Sequence, residues 1–464
     1  MQHHEKPNSK NCEILSKSRN FYYFCFKKDK LNMIETAPPY IKNDDTISLM
    51  IKFQSNGTLK SIQDDYLYWD KIKYKSTDCK SEELWNAVKL FRYIRSNNLK
   101  FGNHVFSYMI TDYMQRTLHQ FDLHIGGTLG SNIGIAETDK TKFVISSIME
   151  EAISSSQMEG ANTTRKKAKE IIQQEKKPKN KSEQMIMNNF ITMKHIVQHK
   201  NEDITPEKIL YVHKLISNNT LEDFEDEGKF RDNDEVHVLD YSNSEIVHTP
   251  PLKEELNVLI KDLCDFCNSD TETFIHPIIK GCIIHFMIGW IHPFTDGNGR
   301  TARALFYWYM LKQGYWLTEY LSISRIIKDT KTQYEKAYLY TENDQNDLGY
   351  FITYHIKTME KAYDALKEYI SRKQREVFQA AKFIKIPNVN DRTSQILKIM
   401  NDDGDRVFNT KEIESRFNIS NYTARTDLKT LVELGFLEII QVNKKKQNFI
   451  KSRNFNETLK KYNI

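Results

Sequence analysis

A chain of 464 residues, 39% hydrophobic and 12% aromatic, is long enough for two or three domains and apolar enough to fold them. Its formal charge of +5 is small for this length and by itself gives no argument for nucleic acid. No apolar run reaches the roughly 18–20 residues of a membrane span. Phe21-Tyr22-Tyr23-Phe24-Cys25-Phe26 is short, lacks a small-residue cleavage site and runs into Lys27-Lys28, which makes a poor signal peptide. Six cysteines stand at positions 12, 25, 79, 264, 267 and 282. Cys264-x-x-Cys267 has no second pair at zinc spacing. Leu256, Leu259, Ile260 and Leu263 recur around it at helical intervals, so these cysteines read as packing on a helix. The expectation is a reduced, cytoplasmic protein without a membrane anchor.

Residues 1–60 read as an N-terminal extension, with Met33, where plainer sequence begins, as an alternative start. Residues 61–160 are helical in pattern. Ser81 is placed to cap a helix that buries Leu84, Trp85, Val88, Phe91 and Ile94. Residues 103–121 read as another, with Phe106, Met109, Ile110, Tyr113, Met114 and Leu118 inside. A further helix begins at Phe143 and ends in Ser154-Ser155-Ser156-Gln157-Met158-Glu159-Gly160. Taken alone, Glu159 is an ordinary solvated carboxylate near a helix end. The lysines around Pro178 read as a solvated face rather than a nucleic-acid contact. Helices resume at 185–197 and 205–217, with Pro206 in a first turn. Gly228-Lys229-Phe230-Arg231 opens a β-like passage in which 236–239, a turn at 240–244 and Glu245-Ile246-Val247-His248 form a hairpin.

The densest chemistry follows: His292-Pro293-Phe294-Thr295-Asp296-Gly297-Asn298-Gly299-Arg300, with a second arginine at Arg303. Buried charges are costly unless paired, so this mixture marks a site rather than a core. The apolar run 282–291 suits a buried helix that Pro293 biases to stop at His292. Residues 301–311 open a second apolar helix. Backbone N–H groups at its start, bared by Gly297 and Gly299, form an anion cradle. Arg300 and Arg303, three apart on one helical face, suit a fork that clamps phosphates. Asp296 is a hard oxygen ligand of the kind Mg²⁺ uses beside phosphates. His292, at the rim, is a candidate general base. His276 and His285 read as capping or packed residues.

This stretch resembles the Fic family motif, H-P-F-x-[D/E]-G-N-G-R-x-x-R, at every specified position. The resemblance implies a mainly α fold: a Fic-type helical core at 161–380 with a small β-hairpin flap. It also implies a nucleotidyltransferase that moves AMP from ATP to a Tyr, Thr or Ser hydroxyl of a protein, itself included. By the same resemblance, Asp296 holds Mg²⁺, and Gly297, Asn298 and Gly299 hold the oxyanions. Arg300 takes the β-phosphate side, Arg303 takes the γ-phosphate, and His292 takes the hydroxyl proton. Gly299, where the Doc toxin branch has lysine, separates the chain from that branch. Residues 61–160 resemble the helical segment ahead of the core in longer bacterial Fic proteins. Ser155-x-x-x-Glu159-Gly160 is similar to the family's inhibitory motif, which implies that Glu159 pairs with Arg303 and denies ATP its productive pose. Some inhibited members suggest that such a glutamate also orients a water that removes AMP. The hairpin is implied to be a flap whose edge, at Glu245, Ile246, Val247 and His248, holds the target by main-chain hydrogen bonds. A plain connecting hairpin is the alternative.

After a linker near 385–390, residues 391–464 read as an independent domain: helices at 393–400, 409–417 and 422–432, then two strands around Lys444-Lys445-Lys446. This resembles a winged helix-turn-helix. If it binds DNA, Thr423, Arg425, Thr426 and Lys429 face the major groove and the lysines meet phosphates; dimerisation, giving a homodimer, and target docking are its other uses. The competing reading of the whole chain is a transcription regulator whose Fic domain only senses nucleotide.

Overall fold

The computed structural model describes residues 34–462, apart from 42–43, 77, 125–136, 174–175, 241–244, 271–272, 316–317, 319–320, 418 and 442–446. The aromatic run at 21–26, Met33, Cys12, Cys25, most of the turn at 240–244 and the lysines 444–446 lie outside the described residues. The fold is mainly α, with three small sheets among the described residues. Two compact units divide the chain, one ending at Tyr363 and one beginning at Asp364, inside helix Gly349–Ala381. None of the described helices is long and apolar enough to cross a membrane.

The first unit is built on two consecutive helices, Pro277–Ile291 and Asn298–Lys312, packed on each other. Pro277–Ile291 is apolar on every side and correspondingly buried on every side. His276 caps it, Nδ1 accepting from the Ile278 N–H at 3.2 Å, with Pro277 in the first turn. His285 is packed inside, 2.9 Å from His355 and 3.0 Å from the Tyr334 hydroxyl. Helices Glu137–Met158, Lys181–Gln198 and Pro206–Ser217 cover Asn298–Lys312. Cys264 and Cys267 are buried on helix Leu256–Asn268, and burial pushes the Cys264 thiol up to about 12. They are packing residues, as their helical spacing indicates.

The N-terminal part departs from expectation in two places. Helix 103–121 does not begin until Asp112. Ahead of it, Asn97–Phe101 and His104–Tyr108 pair as an antiparallel hairpin, with Phe101 opposite His104. The turn is Gly102-Asn103, with Gly102 at φ 56, a conformation that favours glycine. Phe106 and Tyr108 are buried while Val105 is 55% exposed, a period of two rather than 3.6. In helix Ser81–Arg95, Ile94 is exposed and Arg92 is buried instead. The Ser81 hydroxyl does not cap that helix but donates to the Lys73 carbonyl at 2.9 Å. Arg92 donates to Gln63, to the Tyr350 hydroxyl and to the Leu67 carbonyl, and lies 4.1 Å over the Tyr66 ring. Its five N–H groups suit a site rich in acceptors.

In the second unit, helices Asp391–Asp402, Thr410–Phe417 and Asn421–Glu433 precede strands Leu437–Gln441 and Gln447–Lys451. Phe408–Asn409 adds a third strand beside Gln447–Lys451. Asn409 and Ser420 cap the second and third helices, accepting from the Glu412 and Thr423 N–H groups. Leu397, Met400, Ile413, Leu428, Leu431 and Phe449 are in its core.

Replacing Arg92 with Ala strands its acceptors in the interior and is expected to cost about 3 kcal/mol or more. Ile94→Ser, on the exposed side, is expected to cost less than about 0.5 kcal/mol. Urea unfolding of the two variants measures both; similar losses would contradict the placement of these side chains.

Candidate active site

The helix Pro277–Ile291 ends at His292, which precedes Pro293 and so is disfavoured in the right-handed helical region; it turns instead into the left-handed region (φ 49, ψ 56). His292 is 5% exposed. Its Nδ1–H donates to the Gly289 carbonyl at 3.2 Å, so the neutral ring keeps Nε2 as an acceptor. Burial pushes its pKa down to about 3, helped by His248 nearby and opposed by the Gly289 carbonyl. The ring is therefore unprotonated at neutral pH.

The following loop is tied to itself. The Asn298 side chain accepts from the Phe294 N–H at 3.0 Å and donates to the Phe294 carbonyl at 2.8 Å. Its amide is thus engaged in closing the loop, which leaves its backbone rather than its side chain for an anion. Gly297, at φ 85, starts helix Asn298–Lys312, whose first-turn N–H groups have no intrahelical acceptor. Asp296 is partly exposed, with Oδ1 accepting from the Gly297 N–H and 3.4 Å from Arg300 Nη2. Among the described residues no three His, Cys, Asp or Glu side chains converge as a metal cage.

The two arginines do not form the expected fork. Arg300 is buried, and Nη1 donates to the Ile216 carbonyl at 3.1 Å, at the end of helix Pro206–Ser217. Residues three apart on a helix differ in direction by about 60°, and here that sends the two guanidinium groups to different neighbours. Arg303 turns to helix Glu137–Met158. Its Nε donates to Ser155 Oγ at 2.8 Å, and Nη2 donates to the Ser155 carbonyl at 3.2 Å and to Glu159 Oε1 at 2.8 Å. Both members of the ion pair are nearly enclosed, with side chains 1% and 9% exposed. A Cβ at Gly299 would come 2.3 Å from Glu159 Oε1. Only glycine leaves room for the carboxylate at the start of the helix.

Residues 203–310 match the Fic/DOC family. They form a Fic domain. The protein adenylyltransferase Fic of Nematostella vectensis is 33% identical over 118 residues, and that of Caenorhabditis elegans 31% over 120. These segments cover 25% and 26% of this chain, and 25% and 22% of the relatives, so the chain spans about a quarter of their length. A crystal structure of a Fic family protein from Desulfovibrio desulfuricans gives a TM-score of 0.49 at 21% identity, over 75% of this chain and 98% of that one.

Two further residues of the Fic domain hold the loop, and the sequence reading gave neither of them a role. His213 stacks on Phe294 at 3.7 Å; its Nε2–H donates to the Asp296 carbonyl at 2.8 Å and its Nδ1 accepts from the Gly228 N–H. Burial pushes its pKa down to about 4. Arg231, read only as part of a β-like passage, donates to the carbonyls of His292, Pro251 and Asn233 and pairs with Asp234 at 2.9 Å. It joins the end of the hairpin to the loop that begins at His292. The hairpin itself is the antiparallel pair Val238–Asp240 and Glu245–His248. Glu245 and Ile246 are exposed and Val247 is half-buried. His248, expected at the docking edge, is buried instead: Nε2 lies 2.8 Å from the Trp290 carbonyl and Nδ1 2.7 Å from Glu342. Burial rises along the strand toward this end, from exposed Glu245 and Ile246 through Val247, so His248 packs against the helix that precedes His292. The second unit exposes Arg425, Thr426 and Lys429, with Thr423 half-buried.

His292 and His213 lie below the value of about 6.5 for an unfolded histidine. Between those values the unfolded chain binds a proton that the folded chain refuses, so stability falls as the pH drops from about 6.5 toward 4. At pH 5, His292 alone accounts for about 2 kcal/mol of that loss. Urea unfolding of the wild-type chain and of His292→Ala, at about pH 7.5 and about pH 5, is expected to show a smaller acid loss in the variant by that amount. Equal losses would contradict a buried, neutral His292.

Proposed function

We propose that this chain is a protein adenylyltransferase held off by its own Glu159. The observation that carries the reading is the enclosed Arg303–Glu159 ion pair at the N-terminus of an anion-cradling helix. The name shared by relatives of the matched segment supports it. Arg303 is the cation for the γ-phosphate of ATP, and its Nη1 has no hydrogen-bond partner among the described residues. While Glu159 occupies the guanidinium, ATP meets a carboxylate where its terminal phosphate belongs.

When Glu159 is displaced, the backbone N–H groups of Asn298, Gly299 and Arg300 hold phosphate oxygens. Arg300 acts through the loop, by tying Asp296 and the helix start to Ile216. His292 Nε2 accepts the proton of a Tyr, Thr or Ser hydroxyl as that oxygen bonds to the α-phosphorus, and the bond to pyrophosphate breaks. Positioning and charge supply most of such a reaction. One carboxylate without a protein cage suits Mg²⁺, which is commonly held by one or two carboxylates and by substrate phosphates. Asp296 would hold it, and the ion would supply charge neutralisation to the phosphates. The outer edge of the hairpin at Glu245–Val247 receives the target as an added strand, while buried His248 and Arg231 fix the hairpin to the loop. Glu159 also has the chemistry to orient a water that removes AMP from a modified protein.

Incubation with labelled ATP and a cell lysate tests the reading. The wild-type chain is expected to label proteins weakly, Glu159→Gly about tenfold or more strongly, and His292→Ala within the Glu159→Gly background not at all. Labelling that survives the loss of His292 would end the proposed mechanism.

A second reading rests on helix Asn421–Glu433. We read the second unit as a winged helix-turn-helix, with Tyr422, Arg425, Thr426 and Lys429 on the exposed face. Asp427, which would oppose phosphates, is turned inward and paired with Arg392 at 2.7 Å. A DNA-binding role predicts a shift of duplex DNA by the full chain that weakens as salt rises and is lost in Arg425→Ala/Lys429→Ala. No shift at low salt would leave this unit to protein contacts.

A further inference from the structure

Glu151 belongs to no part of the site described above, yet it stands on the same face of the same helix. Glu151, Ser155 and Glu159 follow at intervals of four, one above another. On helix Asn298–Lys312 the facing positions are also four apart: Tyr307, Arg303 and Gly299. The rungs match one to one. Glu151 Oε2 accepts from the Tyr307 hydroxyl at 2.8 Å, Ser155 Oγ from Arg303 Nε at 2.8 Å, and Glu159 lies between Arg303 and Gly299.

The Glu151 rung is the most heavily bonded. Its Oε2 also accepts from Ser322 Oγ and from the Ser324 N–H, each at 3.1 Å, and its Oε1 accepts from Ser324 Oγ. The carboxylate is 3% exposed, and it forms no ion pair with a described residue. Burial raises its pKa and the serine and tyrosine donors oppose that rise. Enclosing a carboxylate without an ion-pair partner is expensive, and cohesion alone would be served as well by an apolar side chain. What the carboxylate adds is direction. With both oxygens engaged by two separate segments, the helix can neither slide nor rotate without losing several bonds. A slip of one residue moves a helix by about 1.5 Å and turns it by about 100°, which would carry Glu159 off Arg303.

We propose that Glu151 is a positioning residue for Glu159: it fixes the register of helix Glu137–Met158 against Tyr307 and residues 322–324, and so seats the inhibitory carboxylate on Arg303. This rests on the reading of Glu159 as inhibitory. Losing Glu151 releases the inhibition from two helical turns away, without altering a group that meets the nucleotide.

The test is AMP labelling by the full chain as wild type, Glu159→Gly, Glu151→Ala, Glu151→Gln and the double variant Glu151→Ala/Glu159→Gly. Glu151→Ala is expected to raise labelling about fivefold or more. Glu151→Gln, which keeps one acceptor oxygen, should fall between it and the wild type. In the Glu159→Gly background, Glu151→Ala should change labelling by less than about twofold, because it acts only through Glu159. Wild-type labelling by Glu151→Ala beside an active Glu159→Gly overturns the positioning role and leaves the inhibition standing. A clear change in the double variant relative to Glu159→Gly overturns it too, since Glu151 would then act on the reaction itself. No rise in Glu159→Gly removes the inhibitory reading and this proposal with it. Should Glu151→Ala fail to fold, Ser322→Ala/Ser324→Ala removes donors from the opposite side, with the same order of effects expected.

Discussion

An arginine that is 1% exposed has to be answered by an acceptor, and the site depends on which acceptor answers Arg303. Removing one partner of such a pair costs about 3–5 kcal/mol, because the other charge is left stranded. Under the proposed function, a triphosphate would displace Glu159 only by replacing what the carboxylate supplies, so two anions would compete for one guanidinium and the helix that carries Glu159 would weigh on the affinity for ATP. Everything that stiffens that helix weighs on the same balance.

The loop beside this pair is prepared before any ligand arrives. Asn298 closes it onto Phe294, His213 holds the Asp296 carbonyl, and Arg231 holds the His292 carbonyl. Each contact uses a polar side chain to satisfy a backbone group that the turn leaves without a helical partner. Burial keeps His213 and His292 neutral, so each ring has one donor and one acceptor nitrogen. For His213 that means both nitrogens are engaged in holding the loop. For His292 it means Nδ1 fixes the ring on Gly289 and Nε2 remains to take a proton. One physical cause, burial, thus leaves His213 with both nitrogens engaged and His292 with one nitrogen available for the proton transfer proposed for it.

What was legible in the sequence is what is local along it. Residues 292–303 are contiguous, so the pattern carries its own geometry: an apolar helix, a proline stop, a glycine start and a second helix. The Ser155–Glu159 segment was legible only through its resemblance to the inhibitory motif, since a glutamate at a helix end is ordinary by itself. His213 and Arg231 were not, since a histidine in an apolar helix and an arginine after a glycine are ordinary until the fold brings Asp296 and His292 beside them. The 97–108 hairpin was missed for another reason. Phe106, Met109 and Ile110 fit a helical period when counted with the residues after them, and only the Gly102-Asn103 turn shows that the period begins later. The fold class needed only the long apolar helices, whose pattern repeats often enough to survive such local errors.

Arg300 and Arg303 make the limit concrete. Both follow the same glycine turn, both are arginine, and both are almost wholly enclosed. Spacing alone made them a pair. The difference lies in what each helix face meets: the end of Pro206–Ser217, with the Ile216 carbonyl that also accepts from Asn188, or the end of Glu137–Met158, with a serine and a glutamate. A backbone carbonyl cannot leave without unravelling its helix, so Arg300 is committed to structure. A side-chain carboxylate at a helix end can swing away, so Arg303 is the arginine whose partner can be exchanged. That asymmetry in the acceptors, more than any property of the arginines, ties one cation to a backbone group and the other to a side chain, and the proposed exchange of Glu159 for a phosphate rests on the second.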